Sequence, residues 1–419
     1  MGFYFYKILI LKLDLSRPNT LLLKSHISIT GSKSESNRLL LLQALYPNLK
    51  ISNISNSDDA GVMQKGLAID SGTVNIHHAG TAMRFLTGYF ASQEGKEITL
   101  TGSQRMTERP IKILVEALRE LGADISYEQN DGYPPIKIIG KRIANNKVSL
   151  PANISSQYIS SLLLIAPSLE NGLELDLIGK ITSVPYIKMT LGLLAEIGVE
   201  SYFEGNLIKV LPKTAVDSKT LTVESDWSSA SYYYSLVALA DVGSEIKLSA
   251  YKTNSLQGDS VLATIYQQLG VETAFEGNNI TLKKTTNLKP ETLKLDLSNA
   301  PDIAQTIAVT CFGLGIGCHL TGLHTLKIKE TDRLQALNIE LSKLCAKISV
   351  TDKELILSVS DKIIPEVSID TYNDHRMAMA FAPLALKTSL IVNDAGVVSK
   401  SYPDFWEDLK TVGLQIAKI

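Results

Sequence analysis

The chain has 419 residues, enough for two or more domains that each bury a hydrophobic core. Its 45% hydrophobic and 20% charged residues are typical of an ordinary globular protein, and the formal net charge is −2 at pH 7. With no long basic block in the sequence, these values argue against a nucleic-acid-binding protein, so any positively charged site must be local.

Near the start of the chain, the apolar run Ile8–Leu11 is soon interrupted by Lys12 and Asp14. It therefore predicts a strand and not the core of a signal peptide or a membrane span. No other window reaches about 18 consecutive apolar residues, so no transmembrane segment is expected. Three cysteines in apolar sequence, without the spacing of metal ligands, favour buried thiols and a cytoplasmic protein: Cys311, Cys318 and Cys345.

The stretch Gly31–Arg38 (GSKSESNR) runs directly into four leucines and predicts the start of a strongly apolar helix. Backbone N–H groups at a helix N-terminus lack intrahelical partners and lie at the positive end of the helix dipole. With Lys33 and Arg38 beside them, they form a pocket for phosphate or carboxylate. The glycine spacing of a nucleotide P-loop is absent. On this stretch alone, an ordinary N-cap with solvated cations is an equally good interpretation.

Two kinds of helix alternate along the chain, and their spacing predicts an internal repeat. Amphipathic helices, each followed by Leu-Gly or its equivalent and a short strand, recur about every 70 residues. They lie at Ile113–Ile125, Leu191–Val199, Val261–Val271, Leu337–Ile348 and Trp406–Ile416. Helices of the second kind follow polar loops and are apolar on most faces, which indicates burial within a domain. They lie at Ser34–Leu45, Gly80–Ser92, Ser155–Pro167, Ser228–Ala240, Asp302–Gly313 and His375–Ala385.

These patterns predict an α/β protein of six repeats, each with one buried inner helix and one outer helix. Six such repeats exceed a single core, so we expect two lobes of three repeats each. The best candidates for the crossings between lobes are the turn at Gly31–Lys33 and the stretch Thr253–Gly258. Lobe one then comprises residues 1–31 plus 256–419, lobe two comprises residues 32–255, and the active site is expected in the cleft between the lobes.

Cations, hydroxyl groups and carboxylates collect in the loops that precede the predicted inner helices. Buried helices whose N-termini point at one cleft concentrate positive potential there without a basic overall charge. Each loop taken singly is also explained as a helix cap or a solvated charged surface, but recurrence at corresponding positions of a repeat favours a functional site. The candidates are His78–Arg84, Gly102–Pro110, Ile154–Tyr158, Ser183–Tyr186, Asp226–Tyr232, Pro301–Asp302, Lys327–Arg333, Thr371–Ala380 and Ser399–Trp406.

Several cofactor and nucleophile motifs are missing from the sequence. It contains no His-Glu-x-x-His, no paired Cys-x-x-Cys, no Gly-x-Ser-x-Gly and no complete dinucleotide fingerprint. The candidate loops contain cations, hydroxyl groups and a few carboxylates. These groups predict acid/base and electrostatic catalysis on an anionic substrate, with no cofactor and no metal.

The chain resembles the family of 5-enolpyruvylshikimate-3-phosphate (EPSP) synthases, the 3-phosphoshikimate 1-carboxyvinyltransferases, in ten segments that follow the family's order. They are GSKSESNR, AGTAMR, RMTERP, SSQY, DWSSASY, QGD, PD, KETDR, TYNDHRMAMA and KSYPDF. KETDR and TYNDHRMAMA are the most specific, and the match spans nearly the whole chain. The resemblance implies a two-lobed enolpyruvyl transferase fold with six βαβαββ repeats, three per lobe.

The family transfers the enolpyruvyl group of phosphoenolpyruvate to the 5-hydroxyl of shikimate 3-phosphate and releases phosphate, in chorismate and aromatic amino acid biosynthesis. The reaction proceeds by addition to a tetrahedral intermediate and elimination, without a metal. The resemblance implies that shikimate 3-phosphate contacts Lys33, Ser34, Arg38, Ser155, Ser156, Gln157, Ser183, Asp302 and Lys329. It implies that phosphoenolpyruvate contacts Lys33, Gly80, Arg105, Gln157, Arg333, Arg376 and Lys400.

Two carboxylates carry the proton transfers that the resemblance implies. Asp302 is expected to take the proton from the 5-hydroxyl, and Glu330 is expected to serve proton transfer at the methylene carbon with Lys33 nearby. The addition requires both a base and an acid, which fits this pair. The resemblance also implies a monomer whose partners are the two substrates, with no nucleic acid and no membrane.

Two positions depart from the family's pattern. His78 stands where the family often has asparagine, and Thr325 stands where some members have an asparagine that binds shikimate. Gly80 keeps the small residue that lies beside the phosphoenolpyruvate site in the family, so we expect inhibition by glyphosate.

Two other functions remain as alternatives. One is the related enolpyruvyl transferase that acts on UDP-N-acetylglucosamine, which typically uses a loop cysteine as an acid; no cysteine lies in the corresponding region here. The other is a non-catalytic sensor of phosphorylated metabolites. The presence of Asp302 and Glu330 argues against the sensor, because binding alone does not require proton-transfer carboxylates.

Overall fold

The computed structural model describes residues 11–17, 20–153, 155–181 and 184–419. The chain divides into two compact units: unit 1 comprises Met1–Ile29 and Ser225–Ile419, and unit 2 comprises Thr30–Glu224. The strand predicted at Ile8–Leu11 falls, apart from Leu11, outside the described residues.

Twenty-two strands lie within the described ranges. Those of unit 1 that precede unit 2 are β1 (Leu13–Ser16) and β2 (Lys24–Ile27). Those of unit 2 are β3 (Leu49–Ser52), β4 (Ser71–Asn75), β5 (Glu97–Thr101), β6 (Asp124–Tyr127), β7 (Ile136–Ile139), β8 (Lys147–Pro151), β9 (Leu173–Ile178), β10 (Ser201–Glu204), β11 (Leu207–Val210) and β12 (Lys219–Thr222). The remaining strands of unit 1 are β13 (Glu245–Ser249), β14 (Val271–Glu276), β15 (Asn279–Lys284), β16 (Thr292–Asp296), β17 (Gly317–Thr321), β18 (Ile348–Val350), β19 (Leu355–Leu357), β20 (Val367–Ile369), β21 (Leu390–Val392) and β22 (Gln415–Lys418).

Thirteen α-helices accompany these strands in the same described ranges. Unit 2 contains α1 (Lys33–Leu45), α2 (Asp58–Leu67), α3 (Gly80–Ala91), α4 (Gln104–Thr107), α5 (Lys112–Glu120), α6 (Ser156–Ile165) and α7 (Val184–Glu196). Unit 1 contains α8 (Trp227–Leu239), α9 (Leu262–Gln267), α10 (Ala304–Leu314), α11 (Arg333–Lys343), α12 (His375–Phe381) and α13 (Phe405–Val412).

The described residues of unit 2 form two βαβαββ repeats with four-stranded sheets and a third, smaller sheet. In the first complete repeat, β4 and β5 run parallel around α3, and the hairpin β6–β7 returns antiparallel to β5, so the sheet order is β4-β5-β7-β6. The second is built in the same way from β8 to β11. Among the described residues, the third sheet consists of the parallel pair of β3 and β12. It is a smaller sheet than the four-stranded sheets of the other two repeats.

The part of unit 1 that the structure describes contains three sheets of four strands each. One follows the βαβαββ order directly, as β16-β17-β19-β18. The other two each incorporate a strand from the start of the chain: β2 pairs parallel with β13, and β1 lies antiparallel between β21 and β22. The N-terminal strands thus complete sheets formed by the C-terminal half, which explains why unit 1 is discontinuous in sequence.

The predicted inner helices are present. All residues of α8 are buried, and α10 is buried apart from Gly313. Two pairs of polar side chains connect the two helices: Ser231 Oγ lies 3.0 Å from Thr306 Oγ1, and Thr310 donates to Ser235 Oγ at 2.8 Å. A helix that is apolar on nearly every face is stable only when it is covered on every face.

The second predicted boundary, at residues 255–256, is not where the structure divides. The chain passes from unit 2 to unit 1 after Glu224. The segment between these positions belongs to unit 1, because α8 packs in that unit's core and β13 pairs with β2. Two helices were also missed by the sequence patterns. One is α4, within the predicted loop Gly102–Pro110, and the other is α2, capped by Ser57, whose side chain accepts from the Ala60 N–H.

No helix in the described ranges is long and apolar enough to cross a membrane. Across those same residues, His, Cys, Asp and Glu side chains form no group of three that is suited to a metal ion.

Candidate functional site

Arg333, the first residue of α11, organises a group of carboxylates in unit 1. Only 2% of its side chain is exposed. Its Nε donates to Asp374 at 2.6 Å, Nη1 donates to Asp302 at 2.8 Å, and Nη2 donates to Glu330 at 2.7 Å. Burial opposes the charge of the guanidinium, but attraction by Asp374, Glu330 and Asp302 outweighs burial and raises the pKa of Arg333.

Asp302 lies at the start of an inner helix, in the single 3₁₀ turn Pro301–Ile303 that leads into α10. Its side chain is 9% exposed and contacts two cations besides Arg333. Lys329 Nζ lies 3.5 Å from Oδ1, and Arg376 Nη2 lies 3.5 Å from Oδ2. Three positively charged groups therefore surround one buried carboxylate. We call these residues, with Glu330, Asp374 and Lys400, the arginine cluster.

Arg376 and Lys400 are held to this cluster through the loop before α12. Asp374 caps α12, and its carboxylate accepts from the Arg376 backbone N–H at 2.9 Å. The Arg376 guanidinium also donates to the Asp302 carbonyl at 3.1 Å. Lys400 Nζ donates to both the backbone carbonyl and the side-chain oxygen of Asn373, each at 2.7 Å. The predicted residues of unit 1 are thus brought together.

Asp259 carries a carboxylate beside this cluster and was not among the site residues predicted from the sequence. It is 9% exposed and accepts a hydrogen bond from Ser228 Oγ. Burial, together with the charge of Asp302, raises the pKa of Asp259 to about 7. The residue stands in the segment QGD, so the motif was visible, but the motif alone does not show that the carboxylate is buried.

In unit 2, Lys33 is the first residue of α1 and pairs with a residue from α2. Its Nζ lies 3.4 Å from Asp59 Oδ2, and His78 Nε2 lies 3.8 Å from the other oxygen. Gly31 is required just before this helix, because a Cβ there would lie 2.0 Å from the Asn53 carbonyl oxygen. Asp59 was missed by the sequence argument because α2 itself was missed. His78, a departure from the family pattern, contacts the same carboxylate as Lys33.

A second contact connects α3 and α6. The Gln157 side chain donates to Thr81 Oγ1 at 3.1 Å, which places it next to Gly80 at the start of α3. Ser155 caps α6 and accepts from the Gln157 N–H at 3.4 Å, and Ser156 is buried behind it. We call Lys33, Asp59, His78, Gly80 and Gln157 the lysine cluster.

Arg105 does not join the lysine cluster. Its side chain is 76% exposed and pairs with Glu108 at 3.1 Å. A different arginine approaches Gly80: a Cβ built on Gly80 would lie 2.7 Å from Arg109 Nη1. Both arginines stand in the segment RMTERP, and the sequence did not show which of them faces the loop at Gly80.

Arg38 is buried and connects three helices of unit 2. Its guanidinium donates to Thr190 Oγ1 at 2.8 Å, to Ser160 Oγ at 3.0 Å and to the Ser34 carbonyl at 2.8 Å. Burial lowers the pKa of Arg38 to about 10, so the side chain remains protonated at neutral pH. These contacts fix α1 against α6 and α7, and they orient the backbone of Ser34.

Ser183 and Thr325 were candidates from the sequence and belong to neither cluster. Ser183 lies outside the described residues. Thr325, which stands where some family members have asparagine, has its hydroxyl oxygen buried without a hydrogen-bond partner among the described residues.

Comparison with known proteins decides the family. The family model described as EPSP synthase (3-phosphoshikimate 1-carboxyvinyltransferase) matches residues 64–409. The chain belongs to the EPSP synthase family. This membership confirms the predicted family and the predicted transferase function.

Individual relatives agree with the family model. The 3-phosphoshikimate 1-carboxyvinyltransferase of Bacteroides fragilis (strain ATCC 25285) is 45% identical over 408 residues, which cover 96% of this chain and 98% of the relative. The enzyme of the same name from Colwellia psychrerythraea (strain 34H) is 36% identical, over 93% of this chain and 97% of its own length. The solved EPSP synthase of Acinetobacter baumannii matches with a TM-score of 0.81 at 21% identity, over 97% of this chain and 100% of that chain, which confirms the predicted fold class.

Proposed function

We propose that this chain transfers the enolpyruvyl group of phosphoenolpyruvate to the 5-hydroxyl of shikimate 3-phosphate and releases phosphate. The observation that carries the proposal is Asp302, a buried carboxylate within 3.5 Å of Lys329, Arg333 and Arg376. Two anionic substrates require several cations, and deprotonation of a hydroxyl requires a base. The arginine cluster supplies both in one place.

The substrate contacts follow the family pattern, with one replacement. Shikimate 3-phosphate contacts Lys33, Ser34, Arg38, Ser155, Ser156, Gln157, Ser183, Asp302 and Lys329. Phosphoenolpyruvate contacts Lys33, Gly80, Arg109, Gln157, Arg333, Arg376 and Lys400. Arg109 takes the place of Arg105 because its guanidinium adjoins Gly80, whereas Arg105 is exposed and paired with Glu108.

Substrate binding prepares Asp302 to act as a base. In the structure, the contacts of Lys329 and Arg376 with its carboxylate are long, 3.5 Å each. A substrate phosphate or carboxylate competes for these two cations, and their withdrawal leaves the Asp302 carboxylate oxygens able to accept a hydrogen bond from the 5-hydroxyl. Asp302 then takes the proton of the 5-hydroxyl as that oxygen attacks the second carbon of phosphoenolpyruvate.

Glu330 serves the proton transfers at the methylene carbon, with Lys33 assisting. Its side chain is 37% exposed, and one oxygen accepts from Arg333 Nη2 at 2.7 Å. Protonation of the methylene carbon accompanies the addition, and removal of a proton from the resulting methyl group accompanies the loss of phosphate. Asp302 and Glu330 bind the same guanidinium, so their spacing is set by a single side chain.

The test is release of phosphate by the purified protein with both substrates, in the presence of a chelator. Release should require both substrates and should fall by roughly 100-fold or more in Asp302→Asn and in Glu330→Gln, the scale of a lost general acid or base. Matched controls in unit 1 are Asp352→Asn and Glu407→Gln, whose carboxylates pair with Lys327 and Lys410 on the surface. Both controls should retain wild-type turnover.

Other results would replace the proposal. If the wild-type protein bound shikimate 3-phosphate but did not turn it over, the protein would be a non-catalytic sensor. Turnover with UDP-N-acetylglucosamine, and none with shikimate 3-phosphate, would identify the related transferase.

We also propose that the protein acts as a monomer in the cytoplasm. The three cysteines are free thiols, of which Cys311 and Cys318 are buried as predicted, whereas the prediction of burial is wrong for Cys345, which is exposed. Free thiols persist in reducing compartments. Light scattering of the purified protein measures its mass directly, and fractionation of source cells tests the location. A stable dimer, or recovery from the periplasm, would contradict these two statements.

A further inference from the structure

Glu340 is a fully buried carboxylate outside the proposed substrate contacts. It lies on α11 and accepts three hydrogen bonds. Tyr372 Oη donates to one oxygen at 2.6 Å, and the Asp370 backbone N–H and Lys343 Nζ donate to the other at 3.1 Å and 2.8 Å. A buried charge with this many donors is fully hydrogen-bonded, which is how such a group is tolerated in a protein interior.

The position of Glu340 on α11 relates it to the arginine cluster. Arg333 and Glu340 are seven residues apart, which places both on one face of the helix, about 10 Å from each other. Arg333 binds Asp374, at the end of the loop that precedes α12. Glu340 binds Asp370 and Tyr372, in the first half of the same loop. One rigid helix therefore holds both halves of the loop.

Between these two attachments the backbone takes a rarely populated conformation. Tyr372 and Asn373 have φ values of 54° and 57°, in the left-handed region that bulky side chains avoid. Such a pair persists only where its surroundings impose it. Asn373 binds the Lys400 ammonium through two oxygens, so the conformation of this pair sets the position of that cation.

We propose that Glu340 is a positioning residue for phosphoenolpyruvate binding. It holds Tyr372 and Asn373 in the left-handed conformation, and thereby places Lys400 and the Asp374–Arg333 pair. The substrate assignment rests on the proposed function, because Lys400, Arg333 and Arg376 are the unit 1 contacts proposed for phosphoenolpyruvate. Holding the loop is a property of the free protein and does not depend on that assignment.

The main experiment compares Glu340→Leu with Glu340→Gln. Leucine removes all three hydrogen bonds, whereas glutamine retains an acceptor for Asp370 and donates to the Tyr372 hydroxyl. We expect Glu340→Leu to raise the KM for phosphoenolpyruvate by about tenfold, the scale of a sub-ångström displacement of binding groups, with little change in the KM for shikimate 3-phosphate. Glu340→Gln should restore most of the loss.

A matched control is Glu407→Leu, since Glu407 also pairs with a lysine three residues along its helix, at 2.7 Å, but is 74% exposed. Its KM values should equal those of the wild type. If Glu340→Leu fails to fold, Tyr372→Phe removes one of the same hydrogen bonds and should raise the KM for phosphoenolpyruvate in the same direction. Equal changes in both KM values, or none in a folded variant, would overturn the proposal.

Hydrogen exchange separates this proposal from the proposed function. In the protein without substrates, the amides of residues 370–374 should exchange about tenfold faster in Glu340→Leu than in the wild type, because local opening becomes easier. Unchanged exchange would overturn the positioning role even if the enzyme were active. An inactive wild-type protein with the expected exchange would contradict the proposed function alone.

Discussion

Arg333 donates a 2.8 Å hydrogen bond to Asp302 and, from the same guanidinium, a 2.6 Å hydrogen bond to Asp374. Asp374 is completely buried and also caps α12. One side chain thus connects the start of α10, the start of α11 and the start of α12. The stability of unit 1 and the placement of its proposed catalytic groups consequently depend on one residue.

Replacement of Arg333 by methionine should destabilise unit 1 strongly. It leaves the buried Asp374 carboxylate without its main counter-charge, and breaking a buried pair in this way costs about 3–5 kcal/mol. Arg142→Met is the control, because Arg142 pairs with Glu170 at 2.8 Å with both side chains largely exposed, a pair worth about 0–1 kcal/mol. Urea unfolding measures both variants, and a similar loss in the two would contradict this account.

Arg109 and Arg105 give a direct test of which arginine binds phosphoenolpyruvate. Loss of a charge-assisted hydrogen bond costs about 1.5–3 kcal/mol, so Arg109→Met should raise the KM for phosphoenolpyruvate by roughly tenfold to 100-fold. Arg105→Met should change it little, because Arg105 is exposed and paired with Glu108. Steady-state kinetics with shikimate 3-phosphate at saturation decide between them. The reverse result would show that Arg105, and not Arg109, binds phosphoenolpyruvate.

Gly80→Ala should weaken the binding of both phosphoenolpyruvate and glyphosate. Glyphosate carries a phosphonate and a carboxylate, so it competes for the same cations. The new Cβ would lie 2.7 Å from Arg109 Nη1, the end of a flexible side chain, so Arg109 moves and the helix does not. We expect the KM for phosphoenolpyruvate to rise about tenfold and the inhibition constant of glyphosate to rise at least as much. Gly61→Ala, on α2 with no atom within 4 Å of its Cβ, should leave both unchanged.

The wild-type protein itself should be inhibited by glyphosate in competition with phosphoenolpyruvate. Full turnover of the wild type at millimolar glyphosate would contradict the role of Gly80.

Asp259 should make the stability of unit 1 depend on pH. Its pKa is raised from 3.8 to about 7 in the folded protein, so the folded state binds more protons than the unfolded state between these values. Stability therefore falls as pH rises through that window, by about 4 kcal/mol at most, at about 1.4 kcal/mol for each pKa unit. In Asp259→Asn, which keeps an acceptor for Ser228, this fall should disappear.

Urea unfolding at about pH 4 and about pH 8 measures the effect, since these values bracket the window. The two proteins should have similar stability at the lower pH, and the variant should be the more stable at the higher pH. Parallel pH profiles for the two would show that Asp259 does not titrate in this range.

Local patterns of residues were enough to predict the α/β class, the alternation of inner and outer helices, and the loops that carry the charges. Helices such as α8 could be identified as buried because small and apolar residues occupy most of their faces, and periodicity is a local property of the chain. The motifs PD, KETDR and TYNDHRMAMA pointed to Asp302, Arg333 and Arg376, because the sequence also shows the order in which such segments follow one another.

Which residues contact each other became known from the folded chain. It showed that Arg109, and not Arg105, adjoins Gly80, that Asp59 pairs with Lys33, and that Glu340 supports the loop at Tyr372. It also placed the division of the chain after Glu224, because β2 completes the sheet of β13 across more than 200 residues of sequence. Such contacts depend on how distant segments pack, and neither periodicity nor a short motif encodes a distance between two side chains that are far apart in the chain.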